Sequence, residues 1–222
     1  MSSRQTFGPS GAAGSLGGAG EVSVFGQVMG LVAATLGMLT LGAYLGRHAA
    51  GGTSLVCFII GFLCIVGLNF ARDAGGVAVG LLFAAGLFLG LGLGGGLAAY
   101  AQADPSAVWQ SAAATALFIA ALGSVGYAIS SDLSGGYRIL FILLLGLILY
   151  GFVSLFTSMP GSNVIYAVLG LGIFGGYTVL DFNRMRRAGV EEAVPLAAGI
   201  FLDILNVFLF FLQLFGRRGS NA

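Results

Sequence analysis

Seven long apolar runs follow one another along the chain, and short polar breaks separate them. Each run is close to the ~20 residues that an α-helix needs to cross the bilayer's hydrocarbon core. A charge, a proline or a cluster of glycine and serine bounds each run, so the pattern predicts an all-α integral membrane protein with seven transmembrane helices. The predicted helices are 22–45, 53–70, 76–101, 107–129, 137–157, 163–180 and 194–215.

The two ends of the chain lack this pattern. Residues 1–20 are rich in glycine and serine and have no hydrophobic period, which predicts a disordered tail. The first apolar run is longer than the roughly 7–15 residues of a signal-peptide core, so we expect it to span the membrane. Because the polar breaks are short, residues 21–216 are expected to form a single membrane domain, followed by a short basic tail over residues 217–222.

Composition strengthens the membrane interpretation. Hydrophobic residues make up 58% of the chain and charged residues only 8%, whereas soluble domains carry about 25% charged residues. The 39 glycines suit a bilayer, where small residues let helices approach closely. Two sets of glycines recur every four residues, Gly76 with Gly80 and Gly86 with Gly90 and Gly94, and both are expected to form tight packing faces.

The charged residues exclude several classes of protein. All 9 basic residues are arginine, which excludes a retinal protein with a Schiff-base lysine and a nucleotide-binding P-loop with its own lysine. The net charge of +1 gives no reason to expect nucleic acid as a partner. Two G-x-G-x-x-G matches begin at Gly90 and Gly170, but neither joins a strand to a helix, so both indicate packing rather than a dinucleotide site.

The arginines predict the orientation in the membrane, because cytoplasmic loops carry the excess of positive charge. If all seven runs cross, the side of the amino terminus carries Arg4, Arg72, Arg138, Arg184, Arg186 and Arg187. The opposite side carries Arg47, Arg217 and Arg218. The amino terminus is therefore predicted to be cytoplasmic. In the alternative, the seventh run dips in and returns, which moves Arg217 and Arg218 to the cytoplasmic side.

Two acidic residues lie inside the apolar runs, Asp181 near the end of the sixth and Asp203 about ten residues into the seventh. A charge at the centre of a spanning helix costs about 2.5–3.5 kcal/mol on insertion scales, so each acid needs a reason to be there. Two carboxyl groups that face each other in a low-dielectric site share a proton rather than both ionising, which is the physical basis of a proton sensor. The sequence therefore predicts a carboxyl pair between the sixth and seventh helices.

Neighbouring polar residues extend this predicted site. Asn206 lies three residues beyond Asp203, on the same helix face, and Arg72 ends the second run on the same side of the membrane as Asp181. An ionised Asp181 would attract Arg72. The alternative is that Asp181 is an ordinary helix-end residue, paired with Arg184 and turned to water.

Two segments resemble motifs of the Bax inhibitor-1 family. The run from Gly175 to Asp181, followed by three arginines at positions 184, 186 and 187, resembles the sixth-helix motif. The run from Ala197 to Leu209 resembles the seventh-helix motif, together with the Leu-Phe-Gly at positions 214–216. The second match is the more specific one, because it combines Leu-Asp, an asparagine three residues later and an aromatic-rich stretch.

The resemblance implies six helices around a central seventh and a protein of a bacterial plasma (inner) membrane. It also implies a calcium leak gated by pH through an aspartate pair, here Asp181 and Asp203, with Arg72 as a latch and with Arg184 and Asn206 as supporting polar groups. The same carboxylates would contact Ca²⁺ transiently, since hard cations prefer oxygen ligands. No resident cofactor is expected.

These observations favour one function and leave another open. The first is a passive, pH-sensitive Ca²⁺ leak that acid opens, because protonating the acid releases Arg72. The alternative is a membrane-embedded regulator without transport activity, since family members are thought to modulate a membrane-bound AAA protease or cell survival.

An enzyme is not expected, because the Gly-x-Gly-Asp motif of intramembrane aspartyl proteases is absent before Asp203. An odd number of helices without a repeat disfavours a secondary transporter. The oligomeric state stays open.

Overall fold

The computed structural model describes residues 23–49, 51–71, 74–154 and 162–216. Within these ranges the regular structure consists of seven α-helices and two single-turn 3-10 helices. The α-helices are α1 (Val24–Leu45), α2 (Gly52–Leu68), α3 (Gly76–Ala103), α4 (Pro105–Ala128), α5 (Gly136–Ser154), α6 (Ser162–Met185) and α7 (Ala193–Phe215). The 3-10 helices are Gly46–His48, after α1, and Val190–Glu192, before α7.

Each predicted apolar run corresponds to one helix, and the largest difference is the end of α6. α4 begins at Pro105, two residues before the predicted start, because Asp104 caps it: its Oδ1 atom accepts hydrogen bonds from the backbone N–H groups of Ser106 at 3.0 Å and Ala107 at 3.1 Å. α6 continues to Met185, five residues past the predicted end. The predicted tails, 1–20 and 217–222, lie outside the described residues.

Six of the described helices are long and apolar enough to cross a membrane, and α2, with 17 residues, is a shorter apolar helix. α7 is a single helix of 23 residues, which corresponds to about 34 Å. A segment that dips in and returns would need a break, and α7 has none between Ala193 and Phe215. The re-entrant alternative for the seventh run is therefore wrong.

α7 is the most deeply buried of these helices. In its most apolar stretch 50% of the residues are buried, against 6% in α5, which turns most of its surface outward. α7 packs against α1, α4 and α6 and also touches α3. α2 packs mainly on α3, and α5 packs mainly on α6. A complete ring of six helices around α7 therefore stays a prediction.

Glycines set the spacing between α1 and α3. A methyl group at position 86, 90 or 94 of α3 would overlap a backbone carbonyl oxygen of α1, namely that of Thr35, Leu39 or Ala43. The predicted packing face of Gly86, Gly90 and Gly94 is thus confirmed. The prediction for Gly76 and Gly80 is wrong, because both are exposed in the first turns of α3 with no atom within 4 Å of an added Cβ.

Candidate functional site

The two predicted acids lie in the interface between α6 and α7. Gly199 of α7 faces Asp181 so closely that a methyl group at position 199 would overlap the Asp181 carboxylate. One turn further along α7, the Asp203 Oδ2 atom accepts a hydrogen bond from the Thr178 hydroxyl of α6 at 3.3 Å. The helices run antiparallel, so the two carboxyl groups lie on one shared face, separated by about one helical turn. Carboxyl groups at such a spacing interact electrostatically.

Both acids are shielded from water. Asp181 is 7% exposed, Asp203 is 4% exposed, and Thr178 between them is fully buried. Arg184 does not pair with Asp181. Its guanidinium instead donates two hydrogen bonds, at 2.6 and 2.8 Å, to the Glu192 carboxylate before α7. The alternative in which Asp181 pairs with Arg184 and turns to water is therefore wrong.

A tyrosine that was not predicted from the sequence also belongs to this site, as a hydrogen-bond partner of Asp181. The Tyr137 hydroxyl, in the first turn of α5, donates a hydrogen bond to the Asp181 Oδ1 atom at 2.6 Å. Its ring lies beside that of Tyr177, with the two centroids 6.2 Å apart. Tyrosines are common at membrane interfaces, so Tyr137 carries no signal in the sequence. Each carboxyl group thus accepts a hydrogen bond from a hydroxyl on a different helix.

Asn183 fixes the end of α6. This side chain is 1% exposed. Its Nδ2 group donates to the carbonyl oxygens of Ile129 at 2.8 Å and Ser131 at 3.1 Å. Its Oδ1 atom accepts from the Leu133 N–H at 3.2 Å. These bonds tie α6 to the connection between α4 and α5, and they explain why the helix continues beyond Leu180.

Two ion pairs lie near the hydrogen bonds of Asn183. One joins Arg184 to Glu192, and the other joins Arg187 to Asp132 at 2.9 Å. The Ser134 N–H hydrogen bond holds the pKa of Asp132 below its usual range, and Arg187 adds to this effect. Asp132 therefore stays ionised near neutral pH, and the second pair keeps both of its charges.

A polar cavity of about 230 Å³ opens at this end of the bundle. Its walls include Tyr137, Leu180 and Asn183, together with the four residues of the two ion pairs. Asp181 is not part of the wall, although its hydrogen-bond partner Tyr137 is. The cavity therefore leads to the tyrosine, and the carboxyl pair lies behind it.

Asn206, another predicted site residue, bonds to its own helix rather than to the pair. Asn206 is half-buried, and its Nδ2 group donates to the Leu202 carbonyl oxygen of its own helix at 2.8 Å. Arg72 lies outside the described residues, so its role as a latch stays a prediction.

The oxygen atoms at the pair are the groups that a cation would contact there. Within the described ranges, histidine, cysteine, aspartate and glutamate form no cluster of three or more that could hold a metal. Ca²⁺ takes about 6–8 oxygen ligands. The carboxyl groups of Asp181 and Asp203 and the hydroxyls of Tyr137 and Thr178 supply only part of that set. Whether these oxygens contact Ca²⁺ stays a prediction.

A helical bundle with spanning helices and a buried carboxyl pair defines a polytopic membrane protein. A family profile described as "Inhibitor of apoptosis-promoting Bax1" matches residues 22–220. The chain therefore belongs to the Bax inhibitor-1 family, which confirms the resemblance of its sixth and seventh helices.

Relatives in several bacteria are similar along much of this chain. A protein of Helicobacter pylori strain J99 is 28% identical over 188 residues, which cover 83% of this chain and 82% of that protein. A protein of Chlamydia muridarum is 29% identical over 158 residues, or 64% of this chain and 66% of that protein. An uncharacterized membrane protein of Streptococcus pyogenes serotype M3 is 27% identical over 130 residues, or 55% and 56%.

Proposed function

We propose that this protein is a passive cation leak for Ca²⁺, gated by protonation of the Asp181–Asp203 pair. The observation that carries the proposal is that α6 and α7 bring two buried carboxyl groups together inside an apolar bundle. Ionisable groups at membrane depth are costly, and they typically mark ion pathways or proton relays. Their oxygen atoms are the ligands that a hard cation such as Ca²⁺ prefers.

The gating direction follows from charge. Two carboxylates in a low-dielectric interface repel each other, so the pair gains a proton as the pH falls. An ionised Asp181 attracts Arg72, which follows α2 in the sequence, and this contact closes the cytoplasmic end of the path. Protonation removes this attraction, so acid opens the leak. Arg184 and Asn206 contribute polar surface near the pair without binding it.

We also propose in which membrane the protein lies and how its helices are oriented there. The protein lies in the plasma (inner) membrane of a bacterium, its amino terminus faces the cytoplasm, and all seven helices cross with α7 at the centre. The arginine distribution supports the orientation, and the contacts of α7 with four other helices support its central place. In this orientation the polar cavity opens to the cytoplasm. The protein catalyses no reaction.

The test is Ca²⁺ flux into proteoliposomes at pH 6 and pH 8. Wild type is expected to carry more flux at pH 6, and Asp203→Asn is expected to lose this difference. Asp104→Asn is the matched control, because it is the same substitution at the cap of α4, where asparagine also caps well. A folded, inserted protein without flux at either pH would overturn the leak, and a flux that falls on acidification would overturn the latch.

A groove along the bundle favours a second candidate function, a regulator that binds a membrane partner. The groove, of about 1110 Å³, lies between α1 and α4, and residues of α7 also line it. Its α1 wall runs from Phe25 to Ala43, a length of about 27 Å that is close to the hydrocarbon thickness. Its α4 wall includes a row of exposed small residues at four-residue spacing, which lets a transmembrane helix approach closely. These residues are Ala112, Ala116, Ala120, Ser124 and Ala128.

The occupant under this second candidate is a transmembrane helix of a partner such as a membrane-bound AAA protease. Ala116→Phe is expected to abolish co-purification with that protease, while Leu117→Phe, one residue along on a 73% exposed position, is expected to leave it intact. If wild type shows no flux and only the first variant loses the protease, the regulator replaces the leak. If neither variant changes co-purification, the groove is not a docking surface.

A further inference from the structure

Tyr137 lies between the polar cavity and the carboxyl pair. Its side chain forms part of the cavity wall, and its hydroxyl donates to Asp181. Leu180, next to Asp181 on α6, forms the adjoining wall, and it packs against Gly136 of α5. An ion or a water molecule that moves from the cavity toward Asp181 therefore meets this tyrosine first.

We propose that Tyr137 is the gate between the polar cavity and the Asp181–Asp203 pair, and that its hydrogen bond to Asp181 holds the gate closed. The inference rests on the proposed function, because a gate matters only if ions or water pass it. It adds a residue on α5 to a site whose described members were predicted on α6 and α7.

The surroundings allow the ring to move while the acid stays in place. Asp181 lies on a helix end that Asn183 fixes to the connection between α4 and α5. Tyr137 lies in the first turn of α5, which is the least buried of the six long helices. The cavity of about 230 Å³ lies against the ring and gives it space to swing into. Breaking one hydrogen bond is then enough to uncover Asp181.

Among the described residues, polar groups of α5, α6 and α7 lie around Asp181. α5 contributes Tyr137, and α7 contributes Asp203. On α6 itself, Tyr177 lies beside the Tyr137 ring, and Arg184 is held by Glu192. Because Arg184 is already paired, the tyrosine hydroxyl is the direct link between the cavity wall and the acid.

The first test measures access to the pair without measuring flux. Thr178→Cys puts a thiol beside Asp203 in a full-length protein whose two native cysteines, Cys57 and Cys64, are changed to alanine. A charged, membrane-impermeant thiol reagent is added to both sides of proteoliposomes. Labelling is expected to be slow with Tyr137 present and about tenfold faster with Tyr137→Ala, since the bond to Asp181 and the ring are both lost.

Tyr127→Ala is the matched control for this labelling. Tyr127 lies at the end of α4, at the same end of the bundle, but it packs on Phe25 and lines the groove instead of the cavity. Labelling at the wild-type rate is expected for this variant. If Tyr137→Ala labels no faster than Tyr127→Ala, the gate is overturned.

The second test is Ca²⁺ flux at pH 8 with Tyr137→Phe, which keeps the ring and removes only the hydroxyl. We expect a rise of about tenfold, the effect of losing one hydrogen bond to a charged group. Faster labelling without flux in any variant would support the gate and overturn the leak. A pH-sensitive wild-type flux that neither Tyr137→Phe nor Tyr137→Ala changes would overturn the gate and leave the leak standing.

Discussion

The two buried aspartates are held by different helices, and this difference matters at the scale of single residues. Asp181 accepts its hydrogen bond from Tyr137 of α5, whereas Asp203 accepts its bond from Thr178 of the facing helix α6. The Thr178 hydroxyl also lies 2.9 Å from the Phe174 carbonyl oxygen. The Thr178 hydroxyl therefore has two acceptors within hydrogen-bond distance, the Phe174 carbonyl oxygen of its own helix and the Asp203 carboxyl group.

Thr178→Val is expected to destabilise the protein. The substitution keeps the shape of the side chain but leaves the buried Asp203 without this donor, and a buried polar group that loses its partner costs about 1–3 kcal/mol. Thermal unfolding in detergent is the measurement. Thr178→Ser, which keeps the hydroxyl, is expected to stay much closer to wild type. Equal stability of the valine variant and wild type would mean that this hydrogen bond contributes nothing.

The sequence predicts only part of the site at this scale. Asp181 and Asp203 stand out because a charge in an apolar run is expensive. Tyr137, Thr178 and Asn183 do not stand out, since uncharged polar residues are cheap to place near the end of a membrane helix. Their partners lie on other helices, and only the packing brings them within hydrogen-bond distance.

At the scale of helices, close contact between α1 and α3 depends on the absence of side chains. Three glycines of α3 spaced four residues apart, at positions 86, 90 and 94, lie against carbonyl oxygens of α1. Van der Waals packing of this kind drives helix association in lipid, where the hydrophobic effect between helices is absent. The glycine repeat is therefore a structural feature of the bundle rather than part of the candidate site.

Gly90→Ala is expected to destabilise the protein by about 1–3 kcal/mol, because the new methyl group overlaps the Leu39 carbonyl oxygen and forces the helices apart. Gly80→Ala is the matched control, since its methyl group meets no other atom within 4 Å. Alanine also favours the helix by up to about 1 kcal/mol. Thermal unfolding in detergent checks both variants, and a loss as large in Gly80→Ala as in Gly90→Ala would contradict this account of the packing.

The connection between α4 and α5 carries a charged group that is expected not to sense pH near neutrality. The pKa of Asp132 is lowered in the folded protein, mainly by the Ser134 N–H. Its contribution to stability is therefore present at neutral pH and is lost only as the pH falls through that lowered value, well below pH 6. Asp132→Asn is expected to keep the wild-type difference in Ca²⁺ flux between pH 6 and pH 8. Loss of that difference would move the pH sensor from the buried pair to the cavity.

The helices themselves are predictable from the apolar runs, but some of their ends are not. α6 continues past Leu180 because the polar residues that follow find partners in another part of the chain, as Asn183 does with Ile129 and Ser131. A sequence pattern read along one helix contains no information about such partners. α4 is the exception, because Asp104 followed by Pro105 is a recognisable helix start.

At the scale of the whole molecule, the bundle separates two environments. The polar cavity lies at one end and leads to Tyr137, whereas the groove between α1 and α4 runs along the apolar side. The number of helices could be predicted from the sequence. Which helices pack against each other could not be predicted, because the surface of a helix that is apolar on all sides does not indicate its neighbour. For this reason neither the cavity nor the groove could be predicted.

The central claim is that Asp181 and Asp203 act as one proton-sensing unit. The most direct measurement is Ca²⁺ flux into proteoliposomes at pH 6 and pH 8 for Asp181→Asn, Asp203→Asn and the double variant. If the two residues share one function, their effects are not additive. We expect each single variant to lose the pH difference and the double variant to lose no more. A double variant that still responds to pH, or single effects that simply add, would contradict it.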